Sequence, residues 1–368
     1  MRRCTPKDEN KLKDMWAVCF GDPPSYIEFF FKNRFIPERT VCLEHGEEMP
    51  CAMHIVPYQV DVRGEEFESA YLVGVATMPE YRMQGYSKRL IREGLDLWRQ
   101  YGVRFSHLYP FKHSFYAHLG YGIANQRYLA GMTAQDASKL PNTDVVRPLA
   151  MGDFDACLLC YQAFLEGKTS YVVRGLNDMA GRLKEHLLDS FGFIAMRSGS
   201  ICGYALCYVD HDVLYADELV YADHNALSSL LFAMGSHQKA GEMRVTIPLW
   251  DQLPTDWPIT FTKEDYAMVR IIGLDGLSIP TEDHVDGEVR FYLKDDYLTW
   301  QEGTYCAKAK DGRVTFTKVD EPAQHTIDIL WLSEAVSGSY CTAAEENSAH
   351  SAIRKMLNKR DCMMFEKY

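Results

Sequence analysis

The sequence predicts a mixed α/β protein of three consecutive domains, 1–143, 144–277 and 278–368. Three observations predict it. At roughly 150 residues per domain, a chain of 368 residues suits two or three domains. The order helix, β-meander, helix, strand occurs before residue 143 and again, degraded, before residue 277, which points to a duplicated domain. From about residue 278 the pattern changes to short strands separated by turn signals such as Lys310-Asp311-Gly312, with helices flanking them.

In the first domain, Leu12, Met15, Trp16, Cys19 and Phe20 keep helical spacing until Gly21-Asp22-Pro23-Pro24 halts it, and Tyr26 to Phe35 forms a second helix. Strands follow at Thr40 to His45, Cys51 to Val62 and Ala70 to Thr77, divided by turns at Gly46-Glu47-Glu48 and Arg63-Gly64-Glu65-Glu66. Ser87 to Tyr101 is an amphipathic helix with Leu90, Ile91, Leu95 and Trp98 on one side. A strand at Phe105 to Leu108 and a short helix from Ser114 to Leu119, ended by Gly120, complete the pattern.

The middle third supplies strands at Val145 to Arg147, Phe193 to Arg197, Ile201 to Val209, Val213 to Val220 and Glu242 to Ile247. Helices are expected at Asp153 to Leu165 and from Asn225 to about Lys239. The last segment gives strands at Gly287 to Leu293, Gly303 to Ala309, Arg313 to Lys318 and Thr326 to Ile329, and helices at Ile329 to Ser337 and Ser348 to Lys359.

Composition removes several function classes. Hydrophobic residues at 47% and charged residues at 24% exclude disordered and fibrous chains. No run of about 18 apolar residues offers a transmembrane helix, and the basic N-terminus lacks the apolar stretch of a signal peptide. Eleven scattered cysteines suit reduced thiols in a cytoplasm, the expected location. The net charge of -12 disfavours nucleic acid as a partner and permits cationic small molecules or basic peptide segments.

The most informative segment runs from Tyr71 to Leu90. A buried strand passes through Met78-Pro79-Glu80 into Arg82-x-x-Gly85-x-Ser87, and a helix opens at once. Such a turn places free main-chain N–H groups at a helix N-terminus, where donors and dipole together favour a phosphate. Gly85 lets the backbone approach the anion without a Cβ in the way. The pattern is neither Gly-x-Gly-x-x-Gly nor Gly-x-x-x-x-Gly-Lys-Ser/Thr, which disfavours dinucleotide and nucleoside-triphosphate sites. Taken alone, it is equally an ordinary strand-loop-helix connection.

Together with Leu108-Tyr109-Pro110-Phe111-Lys112-His113-Ser114-Phe115-Tyr116-Ala117-His118-Leu119-Gly120-Tyr121-Gly122, the segment resembles the GNAT superfamily of N-acetyltransferases. The wider layout is similar to its Eis (enhanced intracellular survival) branch: tandem GNAT-like domains followed by a sterol-carrier-protein-like α+β domain. The resemblance spans the chain, although its specific motifs lie between Val75 and Gly122. It implies acetyl-CoA as co-substrate, no metal, a primary amine acceptor of the aminoglycoside, polyamine or lysine type, and a homo-oligomer, with a hexamer as the family form.

Residue by residue, the resemblance implies that the main chain of Val75, Ala76 and Thr77 pairs with the pantetheine arm. Met83, Gln84, Gly85, Tyr86, Ser87 and Lys88 would enclose the pyrophosphate, and Phe111 and Lys112 would line the reactive end. Tyr116 matches the tyrosine that lies near the thioester sulfur, and the chain-terminal carboxylate on Tyr368 matches the one that threads back into the acetyltransferase core. Two positions depart from the pattern: Ser87 stands where Gly or Ala is usual, and Met83-Gln84 replaces further arginines of the mycobacterial type.

The strand from Ala70 to Thr77 holds no carboxylate; Glu68 is the nearest side-chain candidate for the base, and the resemblance implies the terminal carboxylate of Tyr368 as another. In the second domain the equivalent turn, Val220 to Ala226, carries Asp223 where an anion would need donors, so one coenzyme site per chain is expected. Trp16, Phe29, Phe30, Phe31 and Phe35 are candidates for an acceptor wall or for core packing; Cys157-x-x-Cys160 lies in an apolar helical pattern and reads as packing. Of the histidines, His118 is the one placed to approach the reaction centre. The competing function is an apolar-ligand-binding protein with a vestigial coenzyme site.

Overall fold

The computed structural model describes residues 1–237, 241–281, 285–344 and 346–367. They form two compact units, one of Met1–Asn125, Lys168–Val173 and Tyr266–Tyr368, the other of Gln126–Gly167 and Arg174–Asp265.

The first unit is built on a sheet whose strands are β1 (Arg2–Arg3), β2 (Thr40–His45), β3 (Glu48–Val62), β4 (Glu65–Thr77), β5 (Phe105–Leu108) and β6 (Gly122–Ile123). Two later segments join it: β9 (Tyr171–Val172) pairs with β3, and β15 (Met268–Ile271) lies between β5 and β6. Helices α1 (Glu9–Phe20) and α2 (Pro24–Asn33) lie against one face, and α3 (Tyr86–Gln100) packs against β2, β3 and β4 on the other. The alternation of β4 makes this possible. Tyr71 and Val73 enter the core with Trp16 and Phe30, while Ala70 and Leu72 enter the core with Leu90, Ile91, Leu95 and Trp98.

The β3–β4 hairpin turns on Arg63 and Gly64, both at positive φ (61° and 88°), the conformation that lets a tight turn follow the sheet twist. A non-glycine residue occupies this position because its side chain has partners elsewhere. The buried Arg63 guanidinium donates to the carbonyls of Val336 (2.9 Å), Ala335 (2.7 Å) and Asn358 (2.8 Å). Two of these carbonyls end helix α9 (Ile329–Ser337), which has no further turn to satisfy them. Arg63→Ala is therefore expected to cost about 3 kcal/mol, the scale of losing charge-assisted hydrogen bonds from buried acceptors. Chemical denaturation would read this as a lower midpoint with an unchanged slope.

The C-terminal part of this unit is a sheet of β16 (Ser278–Pro280), β17 (Gly287–Lys294), β18 (Gly303–Lys310), β19 (Arg313–Lys318) and β20 (Thr326–Asp328) in the order β16-β19-β18-β17-β20. It is accompanied by α9 and α10 (Ser348–Met356). Helix α9 also packs on β15 and β6, where the buried Glu334 carboxylate accepts the Ile123 N–H at 2.8 Å.

The second unit has a sheet in the order β14-β7-β13-β12-β11-β10-β8. Its strands are β7 (Gln126–Thr133), β8 (Val145–Pro148), β10 (Phe191–Arg197), β11 (Ser200–Asp210), β12 (Val213–Tyr221), β13 (Glu242–Pro248) and β14 (Thr260–Asp265). Its helices are α5 (Ala134–Ala137), α6 (Phe154–Phe164), α7 (Leu176–His186) and α8 (His224–Gly235). Residues 126–133 and 268–271, assigned to no element from the sequence, are strands of the second and first sheets respectively. The compact units thus interleave along the chain, whereas 143 and 277 divide the linear sequence.

Candidate active site

The site in the first unit begins with an irregularity in β4. Ala52 pairs with Ala76 and His54 with Val73, so Gly74 and Val75 together oppose Met53 alone. This is a β-bulge, and Gly74 supplies the positive φ (57°) that it requires. A Cβ at Gly74 would lie 2.7 Å from the Trp16 ring. A glycine inside an apolar strand pattern is the sequence signal for such a bulge, and Gly74 was not singled out from the sequence.

The parallel pairing of β4 with β5 covers Ser69↔Phe105, Ala70↔Ser106 and Tyr71↔His107, then stops. Hydroxyl groups pin the last paired rungs: Ser106 donates to the Ala70 carbonyl at 2.8 Å and Ser69 to the Phe105 carbonyl at 3.4 Å. Beyond Tyr71 the strands diverge. Val75, Ala76 and Thr77 keep β3 on one side and have no strand on the other among the described residues. A free strand edge can add a peptide-like chain by main-chain hydrogen bonding.

β4 runs through Pro79–Tyr81 and Arg82 into the N-terminus of α3. Met83 and Gly85 both take positive φ (63° and 80°), which turns the chain back into the helix. Gly85 is the N-cap residue, no side chain caps the helix, and the first intrahelical bond runs from Arg89 N–H to the Gly85 carbonyl at 3.0 Å. The N–H groups of Tyr86, Ser87 and Lys88 consequently meet no acceptor among the described residues. A Cβ at Gly85 would meet nothing within 4 Å. Met83, Gln84 and Lys88 are exposed, whereas Tyr86 and Ser87 are half-buried. Arg82 folds back to donate to the Thr77 carbonyl at 3.2 Å, and Gln84 donates to the Glu80 carbonyl at 3.1 Å.

Tyr116 sits on the short helix α4 (His113–Ala117), buried to 4% exposure. Its ring packs against Phe111, Phe115 and Tyr121 at 5.8, 5.0 and 5.9 Å. It shares one apolar cluster with Leu72, Val75, Tyr86 and Leu90, so the strand edge, the start of α3 and the phenol belong to the same side of the sheet. Burial pushes the phenol well above the ordinary tyrosine range. Phe111 and Lys112 are exposed, Lys112 as the N-cap residue of α4.

The other candidates separate from this group. Glu68 precedes the paired rungs and forms an ion pair with Arg39 at 2.7 Å. Trp16, Phe30, Phe31 and Phe35 surround His54 with ring centroids 5.1 to 5.8 Å from it, and Phe29 is buried on α2. His54 and His107 are fully buried and pushed down to about 3 by desolvation, which keeps both neutral. His118 is exposed, with Nδ1 against the Ser114 carbonyl. Cys157 is buried on α6, Cys160 is half-buried, and both are free thiols.

Tyr368 lies outside the described residues. The chain leading to it is not frayed: Cys362, Met363, Met364, Phe365 and Glu366 are all buried. The Tyr71 hydroxyl donates to the Glu366 carbonyl at 2.9 Å, and the Lys367 ammonium stands 5.6 Å from the centre of the Tyr109 ring. Tyr71 is the last residue of β4 paired with β5 and Tyr109 the first after β5, so the tail meets the sheet where these two strands part.

In the second unit, the helix that follows the equivalent strand is α8. Its N-cap residue is Asp223, whose carboxylate accepts the N–H groups of Asn225 and Ala226 at 3.0 Å each and is held by Arg197 at 2.7 Å. The donors that stand open in α3 are occupied here by an anion belonging to the chain.

Comparison with known proteins gives the family of the first part of the chain and the fold of the whole. Residues 1–124 match the family model of the "Acetyltransferase (GNAT) domain". Among solved structures, a protein from Enterococcus faecalis V583 described as "Probable N-Acyltransferase" superposes with a TM-score of 0.81 at 19% identity, covering 100% of this chain and 99% of that one. A GCN5-related N-acetyltransferase from Anabaena variabilis gives 0.80 at 18% identity, with coverage of 100% and 99%. Eis1 from Mycobacterium abscessus gives 0.73 at 13% identity, covering 99% of this chain and 98% of that one. At these identities the likeness to solved structures is one of fold. A search of curated protein sequences finds no significant match. Residues 1–124 thus belong to the GNAT acetyltransferases, the acetyl-CoA-dependent acyltransferases, and they sit in a chain that has the fold of Eis1 over its whole length.

Proposed function

We propose that the protein transfers an acetyl group from acetyl-CoA to a primary amine by direct attack in a ternary complex. One observation carries the reading: the β4 edge from Val75 to Thr77, opened by the Gly74 bulge, leads straight into the uncapped N-terminus of α3, with Tyr116 on the same apolar cluster. The strand edge would bind the pantetheine amides, and the main chain from Met83 to Lys88 the pyrophosphate, with Gly85 leaving room for it. Phe111 and Lys112 would line the reactive end.

Acetyl transfer needs a neutral nucleophilic nitrogen and a donor to the departing thiolate. Tyr116 is assigned to the thiolate. A phenol near pKa ~10 is already a weaker acid than a thiol near ~8.5, and burial raises this phenol further. Its role is then to donate a hydrogen bond to sulfur while the same dry surroundings raise the basicity of the thiolate. The amine proton is assigned to the terminal carboxylate of Tyr368, acting through water. Support comes from the buried run of Cys362–Glu366 and its arrival at Tyr71 and Tyr109. A C-terminal extension is expected to lower kcat about 100-fold, within the usual range for a displaced base. Steady-state kinetics of tagged and untagged protein would check this, and equal turnover would remove Tyr368 from the reaction.

The same reading keeps 1–143, 144–277 and a sterol-carrier-protein-like 278–368 as the modules of the chain, places it in the cytoplasm and assembles it as a homo-oligomer, a hexamer in the family form. The five-strand sheet with α9 and α10 supports the third module. Release of free coenzyme A across a panel of aminoglycosides, polyamines and lysine peptides tests the function. A chain that releases no coenzyme A with any amine but copurifies with a lipid would favour the apolar-ligand reading.

A further inference from the structure

The second unit contains a cavity of about 690 Å³ that the acetyltransferase reading does not use. It opens where β12 and β13 diverge: their parallel pairing ends at Ala216↔Val245, while β12 continues to Tyr221 against β11. From there His224 leaves on one side of the gap and Asp251 on the other, and both line the cavity. The gap occupies the same place in its sheet as the β4–β5 divergence does in the first unit, beyond the carboxyl ends of parallel strands, where open α/β sheets bind ligands.

The charge of this cavity is the opposite of a coenzyme site. Its lining includes two carboxylates, Asp223 and Asp251, and no lysine or arginine among the described residues. The guanidinium behind it, Arg197, is shared between Asp223 and Asp144 at 2.7 Å each. The main-chain donors of α8 are taken by Asp223, so an incoming phosphate would find a carboxylate in place of N–H groups.

The walls are aromatic and apolar. The Phe164 ring lies edge-on to Tyr221 at 5.2 Å and tilted against Trp250 at 5.8 Å, and the α6 face adds aliphatic surface at Leu159 and Ala163. Asp251 accepts a hydrogen bond from the Tyr221 hydroxyl and one from His224 Nε2 at 2.7 Å. A neutral His224 ring that gives its Nε2 proton to Asp251 has an acceptor lone pair at Nδ1 for an N–H donor. Negative charge, an acceptor and aromatic faces together select a cation with an apolar body.

We propose that the second unit holds a binding site for a small organic cation, an alkyl- or arylammonium, in the cavity between α6, Tyr221 and Trp250. This site is distinct from the acetyl-CoA site and does not depend on it.

Titration calorimetry of the full chain with tryptamine, tryptophol and indole-3-acetate, without acetyl-CoA, tests the proposal. Tryptamine is expected to bind, tryptophol at least about tenfold more weakly, and indole-3-acetate not at all. Leu159 and Ala163 are exposed on α6, so Leu159→Trp and Ala163→Trp fill the cavity without disturbing the core. Both variants should keep the wild-type unfolding midpoint and coenzyme A release while losing tryptamine binding; Asp251→Asn should weaken it at least tenfold. Failure of tryptamine to bind, indole-3-acetate binding as tightly as tryptamine, or an unchanged isotherm in both tryptophan variants would overturn it.

Discussion

Gly85→Asp should raise KM for acetyl-CoA by about 100-fold or more while the protein stays folded. The substitution places at the start of α3 a carboxylate like the one that α8 carries at Asp223, on a left-handed rather than an extended backbone. A carboxylate there would accept the open N–H groups at the start of α3 and stand where the pyrophosphate is to sit. Charge-assisted hydrogen bonds contribute about 1.5–3 kcal/mol each, so losing two reaches ~100-fold before charge repulsion is added. Stability should change little. A side chain at the positive φ of Gly85 costs about 1 kcal/mol, and the carboxylate recovers part of it through the charge of the helix N-terminus. Gly85→Asn occupies the same space without the charge and is expected to show a smaller loss, which separates electrostatics from shape. Initial-rate kinetics at saturating amine would decide it, and an unchanged KM in Gly85→Asp would remove the α3 terminus from coenzyme binding.

Tyr116→Phe should lower kcat about 100-fold and leave KM for acetyl-CoA nearly unchanged, since the ring would still fill its place among Phe111, Phe115 and Tyr121. The pH profile carries a second consequence. Because burial raises the phenol, its proton is retained to higher pH than in a free tyrosine. The wild-type rate should accordingly show no falling limb from this group below about pH 10. A falling limb near pH 8 to 9 that disappears in Tyr116→Phe would mean the phenol titrates there, contrary to its burial.

Local pattern carried most elements of the fold. The α3 helix is legible because Leu90, Ile91, Leu95 and Trp98 repeat at helical spacing, and all four are buried. The strand exchange was not legible. Gln126–Thr133 and Met268–Ile271 are ordinary strand sequences, and nothing in a strand's own residues says which of two similar sheets it will complete. For the candidate site, the turn into α3 was legible because a glycine followed by a helix start leaves a local trace, whereas Tyr116 was named on the family resemblance. The bulge at Gly74 leaves one local trace, a glycine inside an apolar strand, but the docking of the tail on Tyr71 depends on a contact with Glu366, far away in sequence, which no local pattern records.

Hydrogen–deuterium exchange of the full chain with and without coenzyme A tests the central claim most directly, because the claim concerns main-chain N–H groups. Slowed exchange is expected in peptides covering Val75–Thr77 and Met83–Lys88, with no change in Tyr221–Ala226, whose donors Asp223 already holds. Unchanged exchange across Val75–Lys88 at saturating coenzyme A, or protection at Tyr221–Ala226 instead, would contradict the assignment of the site.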